Sequence, residues 1–336
     1  MLARPDRIGD VVISSSCLEP LRAAFPKAEI HLVAQARMEP LFAGHPALKS
    51  FIPLPPGGDG DWRITALAAS FRKIQPSCIV HLNSDPAIEQ AAAQAEIPRR
   101  LGFTQNGGEW LTDPLPEPKK RGDKHEAFYN FDLLEKLGVP APERLEPSLR
   151  PNEAALERLT EKLPASITAG SYAVLHIGAH GEKPRIAPEF FIAAARWLVK
   201  ERRLYVVLIG ADAEDEAIGQ IMDGAGSAAA WIKDFCGETD LAEAAFLLRG
   251  AAVVFGRDSG PAHLAAAMGT RTVTLMLEPE FENSARRWRP LGERSWVLEK
   301  PLKRGWLESR PGFARRNLSQ YTPEEIIAAL QVALDA

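Results

Sequence analysis

At 336 residues the chain is too long for one ordinary core and suits two domains of roughly 150 residues each. Hydrophobic residues at 46% and charged residues at 25% are average for a globular protein and argue against disorder, and a net charge of −4 carries no nucleic-acid signature. No run approaches the roughly 18 apolar residues of a membrane span, and Met1–Asp6 lacks the apolar core of an export signal, so a cytoplasmic protein is expected.

The opening Met1–Ala3 leaves little room for a first strand before Gly9-Asp10, so either that strand is stubby or the natural start lies upstream. A helical pattern follows Asp10, with Cys17, Leu18, Leu21 and Phe25 on one face and Pro26 ending it. Strands are expected at Ile30–Ala34, Cys78–Leu82 and Leu101–Phe103, with helices at Ile88–Ala95 and Lys124–Leu137. Proline-rich, aperiodic stretches at Pro116–Lys120 and Pro140–Pro151 interrupt this alternation, and the second is the expected linker.

The second half restarts the rhythm. Strands are expected at Tyr172–Ile177, Leu204–Ile209, Trp231–Phe235, Ala252–Phe255 and Thr272–Leu277, and helices at Pro188–Glu201, Glu214–Met222, Leu241–Leu248 and Pro261–Met268. Strand-length apolar runs alternating with amphipathic runs predict parallel βαβ units, so each half reads as a Rossmann-like doubly wound domain. Thr322-Pro323-Glu324-Glu325 announces a last helix with a capping box. The domains are expected at residues 1–155 and 165–336, the last helix being a candidate to pack back toward the first.

Cys17, Cys78 and Cys236 lie far apart in apolar runs and read as core thiols in a reducing compartment. Between Asn283 and Arg316, ten Lys/Arg face three Glu, a local +7. That patch is either a solvated, Pro-broken surface or a contact for an anionic substrate or the inner face of a membrane.

Three strings could carry chemistry. Arg7-Ile8-Gly9-Asp10 sits where a first strand turns into a first helix, and Asp10 is there either an N-cap or a catalytic base. No glycine-rich dinucleotide fingerprint is present, so no nicotinamide or flavin cofactor is expected. Asp258-Ser259-Gly260-Pro261-Ala262-His263 opens a helix after an apolar strand, which suits a diphosphate or is a simple capped turn. The loop His176-Ile177-Gly178-Ala179-His180-Gly181-Glu182-Lys183-Pro184-Arg185 lets phosphate approach its backbone, with Lys183 or Arg185 to neutralise it. His176 and His180 have no carboxylate partner pattern for zinc.

In this order, and with Pro20–Ile30, Gly237–Leu241 and the continuation Leu264–Ala267, these strings resemble glycosyltransferase family 9, the lipopolysaccharide heptosyltransferases. The resemblance implies a GT-B architecture, two Rossmann-like domains facing across a cleft, and inverting, metal-independent transfer of heptose or a related sugar. The donor would be a nucleotide sugar, ADP-heptose in the family, and the acceptor a lipopolysaccharide core or similar glycan. Asp10 would be the base. The donor would be bound by Gly178, Ala179, Lys183 or Arg185, Asp258, Ser259, Gly260 and His263, with Thr239 bordering the nucleobase and Glu214 reaching the ribose. The sequence departs from the family where its Lys-x-Trp-Pro string is replaced by Lys183-Pro184-Arg185-Ile186-Ala187-Pro188, and where Glu278 and Glu280 add carboxylates near the expected nucleotide. The competing readings are a nucleotide-sugar epimerase of the same fold and a nucleotide-sugar binder without turnover.

Overall fold

The computed structural model describes residues 1–55, 61–105, 108–178, 185–211, 215–277, 283–300 and 321–336. The chain divides into two compact units, Met1–Asn152 and Glu153–Ala336.

In the first unit the elements run β1 (Leu2–Ala3), α1 (Ile8–Ser14), α2 (Leu18–Ala24), β2 (His31–Gln35), β3 (Ser50–Leu54), α3 (Asp61–Ile74), β4 (Cys78–His81), α4 (Pro86–Gln94), β5 (Arg99–Phe103), β6 (Asp113–Leu115) and α5 (Glu126–Leu134). The six strands form one parallel sheet in the order β3-β2-β1-β4-β5-β6. The central strands are buried on both faces, which is why they read as apolar runs rather than alternating ones. Ala3, Val33 and Ile79 from the strands meet Leu67, Phe71, Ile88 and Ala92 from α3 and α4 in the core. Asp85 starts α4 by accepting from the N–H groups of Ala87 and Ile88 at 3.0 and 3.1 Å, with Pro86 in the first turn.

The stubby first strand is what the structure shows: β1 has two residues, yet it sits between β2 and β4. The Met1 amino group donates to the Cys78 carbonyl at 2.9 Å beside it. Two expectations for the first helix change. It is two helices joined by a 3-10 turn at Ser15–Cys17, and Phe25, at the C-cap of α2, is 38% exposed rather than on the buried face. The side-chain period ends with the helix, so Phe25 no longer follows it. Cys17 is buried, whereas Cys78 and Cys236 are half-buried because they stand at a strand start and in a turn.

The second unit runs α6 (Ala154–Lys162), β7 (Tyr172–His176), α7 (Pro188–Arg202), β8 (Tyr205–Ile209), α8 (Asp215–Ala225), β9 (Ile232–Asp234), α9 (Leu241–Gly250), β10 (Val253–Arg257), α10 (Gly260–Ala267), β11 (Thr272–Met276), α11 (Ala285–Trp288), β12 (Ser295–Glu299) and α12 (Pro323–Asp335). Its sheet is parallel in the order β12-β11-β10-β7-β8-β9. Phe191 of α7 and Phe255 of β10 meet with ring centroids 5.6 Å apart in its core. The capping box at Thr322 and Glu325 is formed, and the apolar face of α12, with Ile326, Leu330 and Ala333, is buried in this unit's core against α7 and β10–β12. Part of the basic stretch is ordered structure: α11 lies in it, and β12 is an edge strand. Residues 301–320 of that stretch lie outside the described residues.

Candidate functional site

In an open parallel sheet, ligands bind outside the carboxyl ends of the strands where the strand order reverses. In the first unit that point lies between β1 and β4, and it is where Asp10 stands. Asp10 is not the N-cap of α1. That position is held by Arg7, whose side chain makes no capping bond, and Asp10 is the third residue of the helix. Its carboxylate is held instead by a buried arginine: Arg4 Nη2 donates to Asp10 Oδ1 at 2.8 Å.

Arg4 follows β1 directly, and its side chain is 2% exposed. Nη1 donates to the Leu82 carbonyl at 3.0 Å, to Glu126 Oε1 at 3.2 Å and to Asn130 Oδ1 at 3.3 Å. Nη2 also reaches Glu126 Oε1, at 3.2 Å. Nε lies 2.8 Å from Asp6 Oδ2 as a charge contact that is not aligned as a hydrogen bond. Lys119 Nζ donates to Glu126 Oε1 at 2.8 Å and to the Leu82 carbonyl at 2.9 Å. Asn83 Nδ2 donates to Asp6 Oδ1 at 2.7 Å.

Burial works against the Arg4 charge, but Asp6, Asp10 and Glu126 outweigh it and hold the guanidinium above its ordinary pKa. Burial pushes Lys119 down, with the Arg4 charge adding to the effect and Glu126 opposing it. Burial raises Asp6, with Arg4 opposing. Arg4 and Lys119 thus stand among the carboxyl groups of Asp6, Asp10 and Glu126, with Glu117 also acting on Lys119. The carboxylates that reach solvent are Asp6 and Asp10, with side chains 21% and 17% exposed, while Glu126 is 1% exposed. Among the described residues, Asp10 Oδ2 takes no hydrogen bond.

In the second unit the strand order reverses between β7 and β10. Gly178 follows β7 and the Asp258–His263 string follows β10, so both candidate phosphate loops leave neighbouring strand ends. Ser259 is the extended N-cap residue of α10, but its hydroxyl does not cap the helix. It donates to the Arg257 carbonyl at 3.1 Å and lies 3.1 Å from His176 Nδ1. Burial, and secondarily the Arg257 charge, push His176 down to about 4, so the ring is neutral near pH 7. His263 Nε2 lies 3.3 Å from Asp258 Oδ1, which fixes that ring at the helix start. The arrangement presents the positive end of α10, two imidazoles and a half-buried carboxylate at one strand end, a setting for a diphosphate and sugar hydroxyls.

The remaining candidates are more scattered. Thr239 is half-buried, immediately before the α9 N-cap Asp240. Arg185 is exposed. Ala179, Lys183 and Glu214 lie outside the described residues, as does most of the His176–Arg185 loop. A cavity of about 430 Å³ beside the edge strand β3, lined by Glu39, Phe42, His45, Lys49 and Phe51 among others, contains none of the candidates. Among the described residues no group of His, Cys, Asp and Glu could hold a metal.

Sequence reasoning missed Arg4, Asp6, Asn83, Lys119, Glu126 and Asn130. One signal was available for Glu126: it opens a helix in which Ala127, Tyr129, Asn130, Phe131, Leu133 and Leu134 are all buried, so a carboxylate in its first turn had to find a cation inside.

The sequence model of glycosyltransferase family 9 (heptosyltransferase) matches residues 94–304. The chain belongs to glycosyltransferase family 9. Family membership makes the chain a glycosyltransferase of heptosyltransferase type. Along its whole length it is similar to lipopolysaccharide heptosyltransferase 2 of Escherichia coli, at 24% identity over 98% of this chain and 97% of the relative. The fold is that of the E. coli ADP-heptose lipopolysaccharide heptosyltransferase II structure, with a TM-score of 0.80 at 22% identity over 99% of this chain and 97% of that one. The E. coli heptosyltransferase WaaC with ADP shares the fold at a TM-score of 0.71 and 18% identity, over 99% and 98% of the two chains. The fold these neighbours share with the chain is the α/β fold known as GT-B.

Proposed function

We propose that this family 9 enzyme transfers heptose, or a related sugar, from ADP-heptose to a lipopolysaccharide core or similar glycan, with inversion and without a metal. The observation that carries the reading is the Asp10 carboxylate: one oxygen is anchored on a buried guanidinium and the other is unbonded among the described residues, at the switch point of the first sheet.

In this mechanism the acceptor hydroxyl attacks the anomeric carbon of the donor in line with the departing diphosphate. The new C–O bond forms as the bond to the diphosphate oxygen breaks, Asp10 takes the acceptor proton, and ADP leaves. A positioned base supplies about 10²- to 10⁴-fold in rate. The leaving diphosphate would be stabilised by the N-terminus of α10 at Ser259 and Gly260, by His263, and by Lys183 or Arg185, with Gly178 and Ala179 giving the phosphates backbone access. Asp258, already accepting from His263, is placed to accept from sugar hydroxyls. Thr239 would border the nucleobase and Glu214 would reach the ribose. The first unit, residues 1–155 in the sequence reading, brings acceptor and base, and the second brings the donor.

A cytoplasmic enzyme acting on a membrane-borne glycan would gain from the basic stretch 283–316, of which Arg286 and Arg289 are exposed. No helix among the described residues is long and apolar enough to cross a membrane. The test is nucleotide release from ADP-, GDP- and UDP-sugars with and without a lipopolysaccharide-core acceptor. Acceptor-dependent ADP release supports the reading. Tight nucleotide binding without release from any donor would make the chain a binding protein, and acceptor-independent turnover of the sugar would make it an epimerase.

A further inference from the structure

We propose that Arg4 is a positioning residue for transfer: it fixes the Asp10 carboxylate so that Oδ2 faces the acceptor, and Glu126 and Lys119 hold Arg4 in the orientation that does this. The inference rests on the reading of Asp10 as the base.

The geometry separates this role from plain structural pairing. A guanidinium is a planar fork whose donors point in fixed directions, so once several are engaged the remaining one can serve a partner in only one place. In Arg4, Nη1 and Nη2 both contact Glu126 Oε1, and Nη1 also reaches the Leu82 carbonyl and Asn130. The plane is set by Leu82, just past β4, and by α5, and the donor left over on Nη2 lies along the 2.8 Å bond to Asp10 Oδ1. Lys119 closes the other side by donating to the same Glu126 oxygen and the same Leu82 carbonyl.

A lone exposed Asp on the first turn of α1 would rotate freely. Here one oxygen is committed, so the carboxylate plane is fixed and the second oxygen is presented in a single direction. Orientation of this kind is what converts a nearby base into an effective one. Exposure also favours the role: Asp10 and Asp6 are the carboxylates of the cluster that reach solvent, while Glu126 is buried.

A lysine in place of Arg4 keeps the charge and loses the fork, so Arg4→Lys tests orientation rather than charge. The measurement is the single-turnover transfer rate for wild type, Arg4→Lys, Asp10→Asn and the double variant, together with ADP affinity and the melting temperature of each. We expect Arg4→Lys to lower the transfer rate about 30- to 100-fold, a partial loss that stops at the lower end of what a positioned base supplies, and to leave ADP affinity within about 2-fold. In the Asp10→Asn background the same substitution should cost nothing further, because residues that act as one unit are not additive.

Should Arg4→Lys fail to fold, Glu126→Gln carries the same test, since it keeps the shape that holds Arg4 and removes the charge. Its expected loss is about 10-fold, again vanishing when Asp10 is Asn. Multiplicative losses in the double variant, or a rate for Arg4→Lys within 3-fold of wild type, overturn the proposal and leave the base reading standing. Full activity of Asp10→Asn overturns the base reading, and this inference with it.

Discussion

Ser259 Oγ lies 3.1 Å from His176 Nδ1, and this contact ties the end of β10 to the end of β7 at the switch point of the second sheet. Because the hydroxyl donates to the Arg257 carbonyl, which can only accept, its oxygen is left to accept from the imidazole. The hydrogen on His176 is thereby assigned to Nδ1. A neutral ring in this tautomer holds Ser259 in its extended conformation, and with it the turn that opens α10.

This contact predicts that His176→Leu weakens ADP binding without unfolding the unit. Loss of the hydrogen bond and of the fixed turn should raise the ADP dissociation constant about 10-fold, the equivalent of the 1.4 kcal/mol expected for one bond of this kind. Calorimetric titration checks it. Unchanged affinity would mean that the turn is held by the backbone alone.

Gly256 makes the same approach possible from the other strand. A Cβ on Gly256 would stand 3.0 Å from His176 Cβ and 3.2 Å from its carbonyl oxygen, both too close for strands held in register on either side. Gly256→Ala should therefore destabilise the protein by about 1–3 kcal/mol, as overpacking does. It should also reduce nucleotide affinity more than a substitution in the first unit does. Denaturant unfolding and ADP titration of the same variant test both parts.

A third prediction concerns pH. His81 ends β4, is 1% exposed and has no hydrogen-bond partner among the described residues on either ring nitrogen, and burial pushes it down to about 3 from an ordinary 6.5. His176 is pushed down to about 4. Between these values and 6.5 the unfolded chain binds protons that the folded chain refuses, so stability is full above pH 6.5 and is lost as pH falls through that window. The loss approaches about 1.4 kcal/mol per pH unit for each such histidine. His81→Leu keeps an apolar side chain in the core and should flatten the acid side, leaving the smaller slope due to His176 and to His31 and His45, which burial also lowers. Urea midpoints at pH 5 and pH 7 decide it: an unchanged difference between them in the variant would show that His81 is not the group responsible.

Glu243 gives a test within the second unit. It completes the capping box of α9 with Asp240 and pairs with Arg158 at 3.0 Å and Lys162 at 2.7 Å, joining α6 to α9. Glu243→Ala removes a cap and leaves two cations without that partner, so a loss of about 1–3 kcal/mol is expected. The transfer rate of the folded protein at saturating substrates should be unchanged.

Much of the donor half was readable because its signals are local. An apolar strand followed by Asp258-Ser259-Gly260-Pro261 states the turn, the N-cap and the helix start within a few residues. The central strands were readable for the same reason, as apolar runs of strand length. The missed strands β3, β6 and β12 are all edges of their sheets. Edge positions tolerate Pro53 and Pro114, which lack the N–H a central ladder requires, and leave β12 only half-buried in a basic stretch. The acceptor half was less legible. Asp10 could be found from Arg7-Ile8-Gly9-Asp10, but the residues that hold its partner Arg4, at positions 82, 126 and 130, and Lys119 beside them are brought together only by the sheet order and by α5. A local reading therefore supplied an N-cap as the ordinary fate of Asp10, and the bond to Arg4, whose own placement depends on distant residues, replaced it.

The most direct test of the account is ADP release from ADP-heptose by wild type and Asp10→Asn, each with and without a lipopolysaccharide-core acceptor. The account predicts acceptor-dependent release by the wild type, and at least about a 100-fold slower rate in the variant with ADP affinity preserved, as loss of a general base requires. Release at the wild-type rate by Asp10→Asn would contradict it.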